Sequence, residues 1–418
     1  MHKKKKENKI ENKKENKIEN KKENIIENKK ENKIENKKEN IIENKKENII
    51  ENKKENIIEN KIENKIEDKI ENKKEKNLNL LIPNFSYIQF LKNITTDSFC
   101  KYWNDNTFVT FKSLDDIFYI IYTNKFQSII SLDLFNNKKI NEIKNAHNQS
   151  ISNFQHFSDE VNNRDLIISL SHDDNNLKLW NINNLECLID IKINEKGLSN
   201  AACFLNYDNN YYIITSNNNN VSDSIFEKKA ESIKIFDFNG NKIKELDNSN
   251  YHTFFIDTYY DKKLSKIFII TGNDGFSQSY DYKENKIYYK YCEDKSEINY
   301  HMSIIIDNKE ERVKMIESSC KGIIRIWDFH SAQLLNRIIV NNEWLYSICL
   351  WKKDYLFVGC KDSSIKLIEL NKRKIIKNLY GHKNKVLTLK IIMHTEYGEC
   401  LISQDGDDSE IKLWKISE

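Results

Sequence analysis

Side chains that could carry chemistry are scattered along this 418-residue chain and do not cluster. Its eight cysteines form no Cys-x-x-Cys pair, a spacing typical of zinc and redox sites, and its nine histidines are spread out. The sequence has no glycine-rich phosphate loop, no His-Glu-x-x-His and no Gly-x-Ser-x-Gly motif. The acidic run Asp405-Gly406-Asp407-Asp408 has the wrong spacing for a calcium loop, and a turn before a strand explains it better. We therefore predict no catalytic site, no metal and no cofactor.

The most regular signal is a short pattern that recurs seven times. Alternating apolar and polar residues lead to an anchor position, as in Ile323-Ile324-Arg325-Ile326-Trp327-Asp328. The anchors lie at 132, 180, 236, 280, 327, 368 and 414, with gaps of 41 to 56 residues. Alternation with a period of two predicts a strand at each anchor. A spacing of about 40–45 residues is the period of four-stranded propeller blades.

Two further features accompany the anchors. An aspartate stands six residues before four of them, namely Asp174, Asp274, Asp362 and Asp408. These aspartates occur in short polar runs, which are typical of tight turns between strands. The dipeptide Gly381-His382 places its histidine 32 residues before Trp414. In aggregate, these features resemble the WD-repeat β-propeller family, over roughly residues 85–418.

The resemblance implies an all-β fold, a seven-bladed β-propeller of four-stranded antiparallel blades. In that family a His, a turn Asp, a strand Ser or Thr and a Trp form a buried hydrogen-bonded network. The resemblance assigns these roles to His382, Asp408, Ser403 and Trp414 in the last blade. In the second blade it assigns them to His147, Asp174 and Trp180. The pattern decays elsewhere, since Lys321 replaces the turn Asp before Trp327 and Ile368 replaces a Trp.

One aromatic residue is a candidate for binding a partner. Trp344 aligns with Lys385 of the next blade, a position that in this family opens onto the rim of the central channel. Under the same alignment the turn residues Lys361, Asn273 and Asp173 lie on that face. Tryptophan is enriched at binding hot spots. The alternative, that Trp344 packs against its neighbouring blade, stays equally open.

Residues 1–77 differ from the remainder in composition. Glutamate recurs at every fourth position from Glu7 to Glu75, in repeats of Glu-Asn-x-x with x drawn from Lys and Ile. A period of four winds its apolar positions around a helix, so no coiled-coil seam forms. We predict a low-complexity, strongly hydrated tail that is disordered or transiently helical. Its 25 lysines against 19 acidic residues give +6, whereas residues 78–418 carry −3.

The end of the propeller poses a closure problem. The last blade has no outermost strand after Trp414, and an open ring would leave unpaired strand edges. Residues 85–92, which follow Pro83, are β-like and are predicted to fill that place. A second irregularity is the Asn-rich insertion 217–231, which reads as a loop in the third blade.

These observations predict a non-catalytic scaffold that docks protein or peptide partners. The alternative is an RNA-associated assembly factor whose basic tail touches RNA. The sequence shows no secretory signal and no apolar run of membrane-spanning length. Unpaired cysteines suit a reducing compartment. We therefore expect a cytoplasmic or nuclear location, partners that are proteins or peptides, and no small-molecule ligand.

Overall fold

The computed structural model describes residues 88–95, 98, 106–172, 175–193, 201–217, 232–247, 252–293, 298–307, 312–406 and 410–416. These residues form 28 β-strands with connecting turns. The strands pair into seven four-stranded antiparallel sheets, which confirms the predicted seven-bladed propeller. The tail and its predicted boundary at residue 77 lie outside the described residues. So do residues 218–231 of the predicted insertion, whose first residue, Asn217, instead ends a strand.

Blades 1 to 6 each consist of four consecutive strands. Blade 1 contains β2 (Phe108–Lys112), β3 (Phe118–Thr123), β4 (Ile129–Asp133) and β5 (Lys138–Ile143). Blade 2 contains β6 (Ile151–Asp159), β7 (Arg164–Ser171), β8 (Asn176–Asn181) and β9 (Glu186–Lys192). Blade 3 contains β10 (Ala202–Tyr207), β11 (Asn210–Asn217), β12 (Ser232–Asp237) and β13 (Lys242–Asp247).

The second half of the ring repeats this order. Blade 4 contains β14 (Thr253–Asp261), β15 (Lys266–Asn273), β16 (Phe276–Asp281) and β17 (Lys286–Tyr291). Blade 5 contains β18 (Asn299–Asp307), β19 (Arg312–Ser319), β20 (Ile323–Asp328) and β21 (Leu334–Ile339). Blade 6 contains β22 (Leu345–Trp351), β23 (Tyr355–Cys360), β24 (Ile365–Glu369) and β25 (Lys374–Leu379). The seven predicted anchors all lie on the third strand of a blade.

Blade 7 joins the two ends of the domain. It contains β26 (Val386–His394), β27 (Gly398–Asp405) and β28 (Ile411–Ile416), and its outermost strand is β1 (Ile88–Thr95). The predicted closure is therefore confirmed, although the closing strand ends three residues beyond the predicted residue 92. Two bulges in β1 let its eight residues pair with the six of β28. The rings of Phe90 and Trp414 meet edge to face across this seam, with centroids 5.5 Å apart.

The hydrophobic core is divided among the interfaces between blades. Seven apolar clusters occur, one at each interface; Ile324 and Val358, for example, share the cluster between blades 5 and 6. Each sheet is thus buried on both faces, which is why central strands such as β3 are apolar almost throughout. The first strand of each blade contacts the first strand of the next, and β26 contacts β2, so the first strands form the inner wall of a closed ring.

Asparagine and aspartate replace glycine in many turns, as the low glycine content predicts. Sixteen non-glycine residues of the described chain have a positive φ, and nine of them are Asn or Asp. Their short polar side chains tolerate the left-handed conformation by bonding locally to the backbone. Among the described residues, no helix offers the length and apolarity needed to cross a bilayer.

Candidate functional site

The polar network of blade 7 is built around one hydroxyl. Ser403 Oγ lies 2.6 Å from His382 Nε2 and accepts a hydrogen bond from Trp414 Nε1 at 2.7 Å. All three side chains are buried. Gly381 fits beneath the indole because a Cβ there would approach the Trp414 ring to 3.1 Å, and its φ of +153° also favours glycine. The structure thus brings together three of the four residues that the resemblance assigned to this blade.

The acid nearest to this network is one that the sequence reasoning did not select. Asp405 Oδ2 lies 3.3 Å from His382 Nδ1, and both groups are buried. The predicted turn residue Asp408 lies outside the described residues, so its role stays a prediction. Asp405 ends β27, whereas the motif spacing pointed to the turn that follows.

Blade 2 repeats the same arrangement. Ser169 Oγ lies 2.7 Å from His147 Nε2 and accepts from Trp180 Nε1 at 2.8 Å. The sequence analysis did not name Ser169, although its spacing from Trp180 equals that of Ser403 from Trp414. That spacing was the signal that could have identified it. Asp173 and Asp174 lie outside the described residues.

Blade 5 keeps the Trp anchor but replaces the network with charges. Glu317 pairs with Arg325 across β19 and β20, in the register where Ser403 pairs with Lys412 in blade 7. Glu317 and Arg325 are 1% exposed, and Arg325 Nη1 lies 3.7 Å from Glu317 Oε1. Ser277 of blade 4 donates to Glu317 Oε2 at 2.5 Å, so the charged group also joins two blades.

A second carboxylate completes this charged group. Arg325 and Arg337 face each other across β20 and β21, which would be repulsive without a shared anion. Glu293 supplies it, at 2.5 Å from Arg325 Nε and 3.1 Å from Arg337 Nη1. The buried guanidinium is therefore paired and hydrogen-bonded, as burial of a charge requires.

One end of the ring carries a repeated backbone contact, and we call this end the turn face. In six blades, an amide at or just after the end of the second strand donates to the carbonyl just before the first strand. The donor–acceptor pairs are His172–Ser150, Ser216–Ala201, Asp274–His252, Cys320–Ile298, Lys361–Trp344 and Gly406–Lys385. These turns and the connections into the first strands therefore lie together at this end.

The first strand also carries a bulge near the turn face in five blades. The bulged residues are Ser152, Phe254, Tyr300, Tyr346 and Leu387. A bulge re-aims the side chain at that point. It is a serine in blade 2 but aromatic or apolar in blades 4 to 7.

An apolar cluster lies on the turn face of blades 4 to 7. Tyr346 and Leu387 are buried at its centre, and four partly exposed residues pack around them. We call the six residues the mouth cluster: Phe254, Ile298, Cys320, Trp344, Tyr346 and Leu387. It is separate from the seven clusters between blades. A partly exposed apolar patch at the mouth of the ring is a candidate binding surface.

The sequence left two roles open for Trp344, packing against its neighbours and binding a partner, and its position is compatible with both. Its ring packs near Tyr346, with centroids 6.0 Å apart, yet it stays half-exposed. The Lys361 ammonium lies 5.5 Å from the Trp344 ring centroid and 3.3 Å from Glu343. Trp344 is therefore held in place by its neighbours while part of the ring remains available for contact.

The other predicted surface residues have different positions. Lys361 is exposed on the turn face, and the half-buried Lys385 crosses Gly406, where an added Cβ would lie 2.7 Å from Lys385 Cε. Asn273 does not line this face, because its side chain is fully buried in blade 4. Its amide accepts from Thr253 and donates to Thr271, both at 3.0 Å, which explains its burial. We therefore leave Asn273 out of the candidate surface.

The remaining reactive groups form no further site. The described residues hold no group of three or more His, Cys, Asp or Glu side chains arranged for a metal ion. The seven described cysteines form no disulfide with one another, and Cys187 and Cys292 are exposed. Burial raises the pKa of Cys360 to about 12 and that of Cys400 to about 11, which makes both poor nucleophiles.

The closed seven-bladed ring and the His–Ser–Trp networks of blades 2 and 7 define the class of protein. The fold is a seven-bladed β-propeller, and the networks of blades 2 and 7 match those that the resemblance to WD-repeat propellers implies. Two curated proteins show local similarity to it. It is 25% identical over 114 residues to a U3 small nucleolar RNA-associated protein 21 homolog from Schizosaccharomyces pombe. It is 27% identical over 104 residues to a WD repeat domain-containing protein 83 homolog from Dictyostelium discoideum.

These similarities are partial. The matches cover 27% and 25% of this chain, and only 12% and 31% of the respective relatives. No protein-family model matches the chain. The comparisons therefore support the family of the fold and leave the activity of the whole protein to be proposed.

Proposed function

We propose that this propeller is a non-catalytic scaffold that docks protein or peptide partners at the mouth cluster. The observation that carries the proposal is the partly exposed apolar patch around Trp344 on the turn face of blades 4 to 7. WD-repeat propellers are generally non-catalytic scaffolds, which supports the same function here. A rigid ring with apolar anchors and polar turns around them suits the docking of short segments.

The test is affinity capture with the full chain, read by quantitative mass spectrometry. We expect Trp344→Ala to lose a specific set of proteins that the wild type retains. Phe126→Ala is the control, because Phe126 is 63% exposed in the turn between the second and third strands of blade 1 and also has a lysine, Lys125, 5.2 Å from its ring. Equal capture by both variants, with unchanged circular dichroism, would argue against docking at the mouth cluster.

A second candidate function is that of an RNA-associated assembly factor in the nucleus. One relative is named as a U3 small nucleolar RNA-associated protein, and the tail of this chain carries a net charge of +6. In this proposal the tail contacts RNA phosphates while the propeller binds proteins. The interspersed acids of the tail weaken its field, so we rank this function second.

The two proposals differ in their dependence on salt. Phosphate contacts release counterions, so RNA binding should weaken steeply as salt rises and disappear when residues 1–77 are deleted. Docking on the mouth cluster should change little on either treatment. Filter binding of the full chain to a single-stranded RNA, over a salt series, decides between them.

A further inference from the structure

A second set of apolar side chains lies on the outer strands of blades 4 to 6. Cys292, Ile339 and Tyr380 are all exposed, Ile339 by 69% and Tyr380 by 72%. They occupy equivalent positions in their blades. In each blade, the residue three positions before the anchor pairs with a residue of the outermost strand, and one of these three exposed residues comes directly after that partner. The pairs are Ser277–Tyr291, Ile324–Ile338 and Ile365–Leu379. We call these three residues the outer row.

The same register position is charged on the opposite side of the ring. In blades 1 and 2 it is occupied by Lys144 and Lys192, and both are exposed. The mouth shows the same division, since the bulged residue is Ser152 in blade 2 but Tyr346 in blade 6. At the outer edge, blades 1 and 2 thus carry lysines where blades 4 to 6 carry the outer row, and at the inner edge blade 2 has a serine where blade 6 has a tyrosine.

Blade 6 arranges these groups along one radial line. Trp344 precedes its first strand, Lys361 lies in the turn between its second and third strands, and Tyr380 follows its fourth. Strands in a sheet are about 4.8 Å apart, so three strand spacings separate the two aromatic residues by roughly 14 Å. The exposed Lys361 lies between them, at a position where it can pair with an acid of a ligand.

The charges around this line favour an acidic ligand. The described connections on the turn face of blades 5 and 6, and the connection into blade 7, contain Lys321, Lys361, Lys383 and Lys385. Three exposed acidic residues stand against them, Glu293, Glu343 and Asp362, and Glu293 is already bound by Arg325 and Arg337. Asp362 is already engaged by Ser364 and by Lys366 within blade 6. The N-terminal tail of this chain, with a net charge of +6, is poorly matched to such a surface.

We propose that the partner presents an extended acidic segment that crosses blade 6, with one apolar residue on Trp344 and another on Tyr380. The inference rests on the proposed docking function. At about 3.3 Å per residue, four residues of extended chain span about 13 Å. The segment should therefore read apolar-x-acid-x-apolar, where the central acid pairs with Lys361.

The probe is a display library of random peptides of about 12 residues, selected on the full chain and counter-selected on Trp344→Ala. We expect the selected peptides to share the apolar-x-acid-x-apolar pattern. A synthetic peptide of the selected sequence should bind about tenfold more weakly to Trp344→Ala, Tyr380→Ser and Lys361→Glu, measured by fluorescence anisotropy. Phe126→Ser should bind it like the wild type, since Phe126 lies on the same face in blade 1. A peptide with lysine in place of its acid should recover binding to Lys361→Glu.

The outcomes separate this inference from the function on which it rests. If binding needs Trp344 but is unchanged by Tyr380→Ser and Lys361→Glu, the mouth cluster docks peptides and the crossing of blade 6 is wrong. If the library yields no peptide whose binding depends on Trp344, both proposals are overturned. Circular dichroism of each variant checks that the exposed substitutions leave the fold intact.

Discussion

Blades 5 and 7 have the same sheet and the same Trp anchor but hold their polar groups in opposite ways. In blade 7, one neutral hydroxyl, that of Ser403, serves both His382 and Trp414. In blade 5, the corresponding position is Glu317, and its cross-strand neighbour is the buried Arg325. The indole N–H of Trp327 then has no hydrogen-bond partner among the described residues.

The difference shows that the fold fixes cross-strand positions but not the chemistry at them. In blade 7 one shared hydroxyl makes both hydrogen bonds within a single blade. The charged group of blade 5 instead reaches blade 4 through Ser277 and Glu293. A buried ion pair gains stability only when every charge is matched, so blade 5 should tolerate substitution less well than blade 7.

The largest expected effect is that of removing the buried guanidinium. Arg325→Leu leaves Glu317 buried opposite an apolar side chain and should lower the free energy of unfolding by about 3–5 kcal/mol. The double variant Arg325→Leu/Glu317→Leu should recover most of that loss, because no unpaired charge then remains buried. Urea unfolding followed by tryptophan fluorescence measures both.

The control for this prediction is a substitution of the other arginine that binds Glu293. Arg337 also binds Glu293 but is 50% exposed, so Arg337→Gln should cost no more than about 1 kcal/mol. If Arg325→Leu cost as little as Arg337→Gln, the charged group would not be what holds blades 4 and 5 together.

An intermediate effect is expected in the hydroxyl network. Ser403→Ala leaves the ring nitrogens of His382 and Trp414 buried without their shared partner, which should cost about 1–3 kcal/mol. Ser169→Ala should cost about as much, because blade 2 has the same geometry. Differential scanning fluorimetry and urea titration of the two variants check this.

The two tryptophans provide the matched comparison. Trp414→Phe and Trp327→Phe remove the same atoms, but only Trp414 donates a hydrogen bond within the described residues. Trp414→Phe should therefore be the more destabilising by about 1 kcal/mol. Equal losses would mean that the hydroxyl network contributes little beyond packing.

The fold was predictable because its signals are redundant. Seven anchors at blade spacing predicted seven blades, and the missing last strand predicted the closing role of the segment after Pro83. A periodic pattern averages over local exceptions such as Ile368, which stands in place of a Trp and is still buried on its third strand. The bounds of β1 were less predictable, since its two bulges leave no mark in the alternation.

The site was only partly predictable because it depends on contacts between distant residues. Motif spacing identified His382, Ser403 and Trp414, which one blade positions locally. It failed for Asn273, since a turn residue can be exposed or buried depending on whether Thr253 and Thr271 engage it. The mouth cluster and the outer row combine residues from several blades. Their equivalent positions can be recognised only from the observed pairing of the strands.

The smallest expected effect is a pH dependence of the free energy of unfolding, and it comes from the contact of a histidine in blade 2 with blade 1. His156 of blade 2 stacks on Phe111 of blade 1, with ring centroids 3.6 Å apart, and its Nε2 lies 2.8 Å from Asp165 Oδ1. Burial lowers the pKa of His156, although its hydrogen bond to Asp165 acts in the opposite direction. The unfolded chain, with its ordinary histidine pKa, therefore binds a proton at a higher pH than the folded chain does.

The sign of the pH effect follows from this difference. Between the folded and the unfolded pKa, protonation favours the unfolded chain, so stability should fall as the pH drops from about 7.5 to about 5.5. His156→Gln keeps a donor for Asp165 but does not titrate, so this variant should lose less stability over the same interval. Urea unfolding of both proteins at the two pH values measures the difference. An identical loss in both would show that groups other than His156 carry the pH dependence.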